Sequence, residues 1–369
     1  MTDSARIRLG FIGLGVMARR HLSEIIDRPD TTVVAVCDPS AEAYAATAAL
    51  FEERGLTAAP NEPDWTRFVA RFAADLDAVF IITPHVFHFA QATACLEAGL
   101  DVLLEKPMVM SAAEAERLIE TRDRTGRLLV VAFQGSLSAE VREAARLLRS
   151  GDLGEILNVN AMAWQNWAGV TAGGWRQDTL VSGGGFLFDT GAHMLNTVAD
   201  LVGEDLIEVA AWLEDDGSPV DVRATVMART RSRILVTMNA CGSAIRSCHS
   251  DVRVFTTQAI LRTDIWGESL ELQRDSDDGL RPVPLIDPVT VWQRFVDVRA
   301  GHIDNPAPPE SGLRMARLWD AIRASAARGG AMIRDPLATP SSAGGHGVVP
   351  DQDGLGGQGA VSPTDGPLL

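Results

Sequence analysis

Lysine is almost missing from this 369-residue chain: Lys106 is the only one, against 32 arginines. Arginine serves wherever a fixed surface charge suffices, so a lone ammonium marks a place where a compact point charge with a movable pKa is wanted. The bland alternative is that one lysine survived by chance. Cysteine is scarce as well. Cys37, Cys95, Cys241 and Cys248 form no C-x-x-C pair, which excludes a zinc ribbon and fits buried thiols in a reducing compartment. Positive charge is in deficit. The net charge is −16 and the pI near 4.9, the wrong sign for a nucleic-acid partner. No apolar run has the length of a membrane span, and the N-terminus opens on a strand pattern without a signal-peptide layout. The expectation is a cytoplasmic protein with no membrane association.

What is present reads as two folding units. Hydrophobic residues make up 46% of the sequence, and the length exceeds what one core usually organises. Up to 134, strand-like and helix-like runs alternate. Arg6–Ile12, Thr32–Cys37, Asp77–Ile82, Val102–Glu105 and Arg127–Phe133 are apolar strands. Helices run to Ile26, over Ala41–Arg54, Asp64–Arg71 and Phe87–Ala98, and from Ser111 to Thr125, the last with a capping-box spacing and a closing glycine. Fully apolar strands between helices predict a doubly wound parallel α/β sheet, buried on both faces. From 135 to 335 the pattern changes. A helix over Ala139–Arg149 precedes six strand-like runs between Ile156 and Thr263, several of them alternating. One helix, Gly185–Leu201, interrupts them, and helices over Val289–Arg299 and Leu313–Arg328 close the unit. This predicts an α+β domain with an open, mainly antiparallel sheet whose bare face a partner subunit could cover. Residues 336–369 are rich in Gly, Pro, Ser and Asp with no aromatic, and read as a disordered tail.

Between the first strand and helix stands Gly13-Leu-Gly15-Val16-Met17-Ala18. The first glycine makes a tight turn, the second lets a pyrophosphate approach the backbone, and the small third residue lets the helix pack. The helix N-terminus adds amide donors. An acid follows about 20 residues on, at the end of the next strand, as a dinucleotide site requires. That acid, Asp38, would bond ribose hydroxyls and repel a 2′-phosphate, so NAD is expected over NADP. Thr83, Pro84 and His85, after the third strand, are placed over the cofactor, with Glu105 and Lys106 after the fourth. His88 is read as structural. Lys106 itself precedes Pro107, which favours an extended backbone at the carboxyl end of a strand, where open α/β sheets bind ligands.

A second dense stretch runs from Gly183 to Asn196 and holds Asp189 and His193 four residues apart. On a helix these share a face. A carboxylate can then fix an imidazole that moves a proton. A capping aspartate bonded to a core histidine fits the stretch equally. No third metal ligand is evident, and no metal is expected. Trp164, Trp175 and Arg176 lie in polar–aromatic, loop-like segments suited to stacking on sugar rings and bonding hydroxyls. The tryptophans suit an interface comparably.

These pieces occur together. Gly13–Ala18 with Arg20-His21, Thr83-Pro84 with His88, Leu96–Gly99, Glu105-Lys106-Pro107, Gly151–Ile156, and Gly183–Gly185 with Asp189 and His193 resemble the Gfo/Idh/MocA family in order and spacing over residues 6 to 335. The resemblance implies an N-terminal Rossmann domain, a C-terminal open-sheet domain that forms homodimers or homotetramers, and Lys106, Asp189 and His193 as catalytic lysine, aspartate and histidine. Asn196 matches a position often held by aspartate or asparagine, and is taken as a substrate residue. Gln134–Ser138 lacks a basic residue common there; Arg142 or Arg176 could stand in. The resulting expectation is an NAD-dependent dehydrogenase for a secondary alcohol of a sugar, sugar derivative or cyclitol. His193 would be the base, Asp189 its orienting group, and Lys106 the group holding the reacting oxygen. An NAD-dependent glycosidase using transient oxidation, and a non-catalytic NAD-binding regulator, are the alternatives.

Overall fold

The computed structural model describes residues 6–285 and 289–334; the tail expected from 336 lies outside them. The first unit contains β1 (Ile7–Ile12), α1 (Val16–Ile25), β2 (Thr31–Cys37), α2 (Ala41–Glu52), α3 (Trp65–Phe72), β3 (Ala78–Ile81), α4 (His85–Glu97), β4 (Asp101–Leu104), α5 (Ala112–Thr125) and β5 (Leu129–Val131). The strands form one parallel sheet in the order β2-β1-β3-β4-β5. Its centre is dry: Leu9, Phe11, Val79, Phe80, Val102, Leu103 and Val130 have no exposed surface. Each such side chain contributes about 1.5–3 kcal/mol of burial free energy, which is why these runs read as apolar throughout. Helix starts follow the capping chemistry. Ser40 Oγ accepts from Ala43 N–H, and Ser111 Oγ from Glu114 N–H. Gly126, at φ +64°, ends α5 in a left-handed turn.

The chain then passes through α6 (Gln134–Leu137) and α7 (Ala139–Ser150) into β6 (Ile156–Gln165), α8 (Trp167–Val170), α9 (Thr179–Ser182) and α10 (Gly191–Val202). Next come β7 (Leu206–Glu214), β8 (Arg223–Thr230), β9 (Leu235–Cys241), β10 (Cys248–Thr256), β11 (Ala259–Thr263), β12 (Leu270–Arg274) and β13 (Arg281–Pro282). The last elements are α11 (Val291–Arg299), α12 (Pro309–Ala326) and β14 (Ile333–Arg334). The second sheet has nine strands, ordered β13-β12-β11-β10-β6-β9-β8-β7-β14. All its pairs are antiparallel except β6–β9. Strands β12, β13 and β14 were not legible in the sequence. Strands β13 and β14 are two-residue edge strands, and β12, which lies between β11 and β13, has only two apolar residues among its five.

The expected helix over Gly185–Leu201 begins only at Gly191. Residues 183–190 form a loop instead, because Asp221 captures its backbone: the carboxylate accepts from Gly185 N–H at 2.8 Å and Leu187 N–H at 3.2 Å. Gly185 is required there, since a Cβ would lie 1.9 Å from the Asp221 carbonyl oxygen. Helix α10 itself is buried on all sides save at Asp200, the signature of a central helix. The closing helices tie the two sheets together. Trp292 Nε1 donates to Thr31 Oγ1 at 2.9 Å, and Arg299 pairs with Asp101. Helix α12 packs against both α5 and β7. No helix among the described residues is long and apolar enough to cross a membrane.

Candidate active site

The glycine turn after β1 has the geometry a phosphate cradle needs. Gly13 adopts φ +93°, and a Cβ there would stand 2.3 Å from the Ile82 carbonyl oxygen. Gly15 has open space where a Cβ would go. It caps α1 without any side-chain hydrogen bond, and the first turn carries no acid. The amides at Val16 and Met17 therefore sit at an unblocked, positive helix end. Asp38 does more than the sequence indicated. Its carboxylate accepts from Leu14 N–H at 2.7 Å and from Ser40 N–H at 2.8 Å. It thereby ties the glycine turn to the end of β2.

At the carboxyl end of β4, Glu105 and Lys106 face different tasks. Glu105 Oε1 lies 3.0 Å from His21 Nε2, and Oε2 accepts from the Lys106 amide at 3.1 Å. The Lys106–Pro107 peptide is cis. Lys106 Nζ donates to Asp189 twice, to the side-chain Oδ1 at 3.0 Å and to the main-chain carbonyl at 2.9 Å. Asp189 also receives Trp167 Nε1 at 2.9 Å and Arg176 Nε at 3.1 Å, both on Oδ2. Burial opposes ionisation of this carboxylate, but Lys106 and Arg176 outweigh it and hold the group well below the usual carboxylate range.

The structure changes the part expected of Asp189. It lies in the loop before α10, not on the helix, so the four-residue spacing does not stack it on His193. No hydrogen bond among the described residues joins the two, and His193 Nδ1 is buried without a partner. Asp189 orients Lys106 instead. Burial, then the Lys106 charge, push the His193 imidazolium down to about 3 from the ordinary 6.5, against the pull of Glu105 and Asp189. His193 is therefore neutral near pH 7.

His85 is also relocated. Helix α4 starts at His85, two residues earlier than read, and this turns the ring inward. It is 4% exposed, donates from Nδ1 to the Ser182 carbonyl at 2.7 Å, and stands 3.8 Å from Asp189. Through that bond it bridges to the second unit. Burial pushes it, too, down to about 3. Thr83 Oγ1 donates to Gln91, and Pro84 precedes the first residue of α4. The buried ring of His88 spans the Thr83 and Pro107 carbonyls, each 2.9 Å from a ring nitrogen.

Of the four substrate candidates, two reach this cluster. Arg176 binds Asp189 and stacks over Trp175 at 4.5 Å, and Trp175 sets its ring edge-on to His85 at 4.9 Å. Trp164 does not. Strand alternation puts Val159, Ala161 and Ala163 on the buried face of β6 and Trp164 on the opposite one, beside His249. Asn196 is 1% exposed, and its amide is committed. Nδ2 donates to Ser136 Oγ at 2.6 Å, and Oδ1 accepts from Arg314 at 3.0 Å. It belongs to a polar network with Ser136, Asp200 and Arg314 in the core. One residue near the site went unread: Trp266, in the loop after β11, has its ring 6.4 Å from that of His193. A lone tryptophan between strand runs carries no local signal of this.

Comparison with known proteins gives the arrangement its context. The model of an oxidoreductase family with an NAD-binding Rossmann fold matches residues 7–133, and the GFO/IDH/MocA C-terminal domain matches residues 141–262. The chain belongs to the Gfo/Idh/MocA family. Similar proteins include D-glucoside 3-dehydrogenase of Escherichia coli, 30% identical over 201 residues, which are 54% of this chain and 55% of that one. Inositol 2-dehydrogenase 4 of Saccharopolyspora erythraea is 31% identical over 210 residues, 56% and 57% of the two chains. The chain thus spans about half the length of the curated relatives it matches. In fold it resembles the aldose-aldose oxidoreductase of Caulobacter crescentus complexed with glycerol, with a TM-score of 0.77 at 22% identity over 89% of this chain and 99% of that one. Levoglucosan dehydrogenase in complex with NADH and levoglucosan gives 0.75 at 20% identity, over 90% and 100%. As in other Gfo/Idh/MocA oxidoreductases, the glycine turn of this chain belongs to an NAD-binding Rossmann domain.

Proposed function

We propose that this chain is an NAD-dependent oxidoreductase acting on a secondary alcohol of a sugar, sugar derivative or cyclitol, by oxidation or the reverse reduction. One observation carries the reading: a neutral, buried His193 shares a site with an ammonium, Lys106, that is pinned twice to Asp189. The residues present suit the dinucleotide, because the α1 terminus is uncapped and a Cβ at Gly15 would meet only open space. Gly13, Gly15, Val16 and Met17 would hold its phosphates and Asp38 its ribose, whose 2′-phosphate form the carboxylate disfavours. Bound NAD supplies a hydride acceptor, and NADH a donor.

The chain's own groups supply the rest. Two of the three Lys106 N–H bonds are spent on Asp189; the third remains for the alcohol oxygen, where it stabilises developing negative charge. Removal of a hydride from the carbon turns the hydroxyl into a protonated carbonyl, a strong acid. A weakly basic imidazole therefore suffices to take that proton, and His193 Nε2 is the ring nitrogen left to do so. The C–H and O–H bonds break and a C=O bond forms. Asp189, fixed by Trp167 and Arg176, keeps Lys106 aimed. The relatives named for dehydrogenation of a glucoside and an inositol support the substrate class.

The test is the near-ultraviolet absorbance of NADH, with NAD supplied, over a panel of inositols, aldoses and methyl glycosides. Growth of NADH on a panel member is expected. Silence across the panel with NAD binding intact would remove the reading in favour of the glycosidase or the regulator.

A further inference from the structure

We infer that Trp266 forms a wall of the substrate pocket on the His193 side, taking the apolar C–H face of a pyranose or cyclitol ring, and that Asp264 is the residue that positions it. This rests on the site reading given above. The segment from Asp264 to Ser269 is built around one carboxylate. Asp264, 8% exposed, accepts at Oδ1 from the backbone N–H groups of Trp266 at 2.9 Å, Gly267 at 2.8 Å and Glu268 at 3.1 Å. Oδ2 accepts from Ser269 Oγ at 2.8 Å. Such a concentration of donors fixes a loop that would otherwise be free. The loop is further bonded to the helix that carries His193: the Ile265 carbonyl accepts from Thr197 Oγ1 at 3.1 Å. Thr197 stands four residues after His193 on α10, hence on the same face. The neighbouring Gly267 adopts φ +74° and leaves no room for a side chain, because a Cβ would lie 1.9 Å from Ser138 Oγ.

The outcome is a half-buried indole held 6.4 Å from the imidazole and tilted 60° to it. Its neighbours Glu268 and Ser269 are exposed, so the indole borders solvent next to the proton-accepting ring rather than filling the core. Polyol rings present hydroxyls at their rims and C–H bonds on their faces. Lys106 and His193 address one hydroxyl; a flat aromatic surface addresses the face, and a pocket combining few polar groups with aromatic walls is the common way to orient such a ligand.

The experiment uses whichever panel compound wild type oxidises. Trp266→Ala and Trp266→Leu should each raise KM about tenfold, with kcat and the Kd for NAD changed less than about twofold. Trp266→Phe, which keeps a flat ring, should recover most of the loss. Trp266→Leu keeps the apolar bulk, so the result stands even if the alanine variant unfolds. An Asp264→Asn change should raise KM in the same direction, since it weakens the loop without touching substrate. An unchanged KM in Trp266→Leu overturns the inference and leaves the dehydrogenase reading standing. An absence of turnover in wild type fells both, and it is seen before any variant is made.

Discussion

At the scale of single residues the site is decided by which partner each charge finds. Lys106 is held at Nζ by two oxygens of one residue, so a neutral replacement frees a buried carboxylate and, under the proposed mechanism, removes the positive charge at the reacting oxygen. Lys106→Met should lower kcat by at least about a hundredfold, as loss of an oxyanion donor does, while NAD affinity by calorimetry changes little. A variant within tenfold of wild type would end the assignment. Lys106→Arg should fare no better, because a planar fork cannot reproduce an ammonium held by a carbonyl and a carboxylate. The histidines predict a pH effect of fixed sign. His85 and His193 sit near 3 when folded but at the ordinary 6.5 when unfolded. Below 6.5 the unfolded chain binds protons that the folded chain refuses, so stability falls as pH drops from 6.5 towards 3. Each group contributes about 1.4 kcal/mol per pH unit in that window. Asp189, held low, adds its loss only below the ordinary carboxylate range. Urea midpoints at neutral and mildly acid pH should show this loss in wild type and a shallower one in His193→Gln; equal slopes in both would refute it.

At the scale of elements the glycine turn separates folding from binding. Gly13→Ala forces a side chain onto the Ile82 carbonyl at a left-handed φ. It should cost about 1–3 kcal/mol in strain alone, read as a lowered Tm. Gly15→Ala meets nothing in the folded chain and should leave Tm nearly unchanged while raising the Kd for NAD. If both variants lost stability equally, the division of labour would be wrong. This turn was legible because strand, glycines, helix and distal acid are all local in sequence. The parallel sheet was legible for the same reason, since burial on both faces leaves unbroken apolar runs. The Asp189 loop was not. Its backbone is organised by Asp221, more than thirty residues away, and a helical spacing of four looks the same whether or not the helix has started. The side Trp164 faces was likewise hidden, because it depends on strand register. The indole of Trp266 was hidden for a third reason: a side chain placed by a loop's contact with a helix some seventy residues earlier leaves no periodic trace.

At the scale of the whole molecule, one face of the second sheet is covered by no other element among the described residues. Helices α7, α10 and α12 pack on one side of the nine-stranded sheet. The other side presents Met162, Trp212, Met227 and Leu235, each between 42% and 56% exposed. Register puts Met162 and Trp212 in one cross-strand row, through Asn239 and Thr225, and sets Met227 beside Thr237 and Leu235 beside Arg229 on the same face. The polar members of these rows satisfy one another, Thr225 with Asn239 and Thr237 with Asn160, and the charged residues on the same face pair among themselves, Arg229 with Glu208 and Asp251 with Arg253 and Arg262. Such a patch marks an interaction site. A second copy of the same sheet would bury like against like about a two-fold axis. We therefore expect light scattering to give a mass at least twice the 39.5 kDa of the chain. Met227→Arg and Leu235→Arg together place like charges across that axis and should yield monomers that still bind NAD, because neither residue lies near the glycine turn. A wild-type mass of one chain at micromolar concentration would show that the face is left to water.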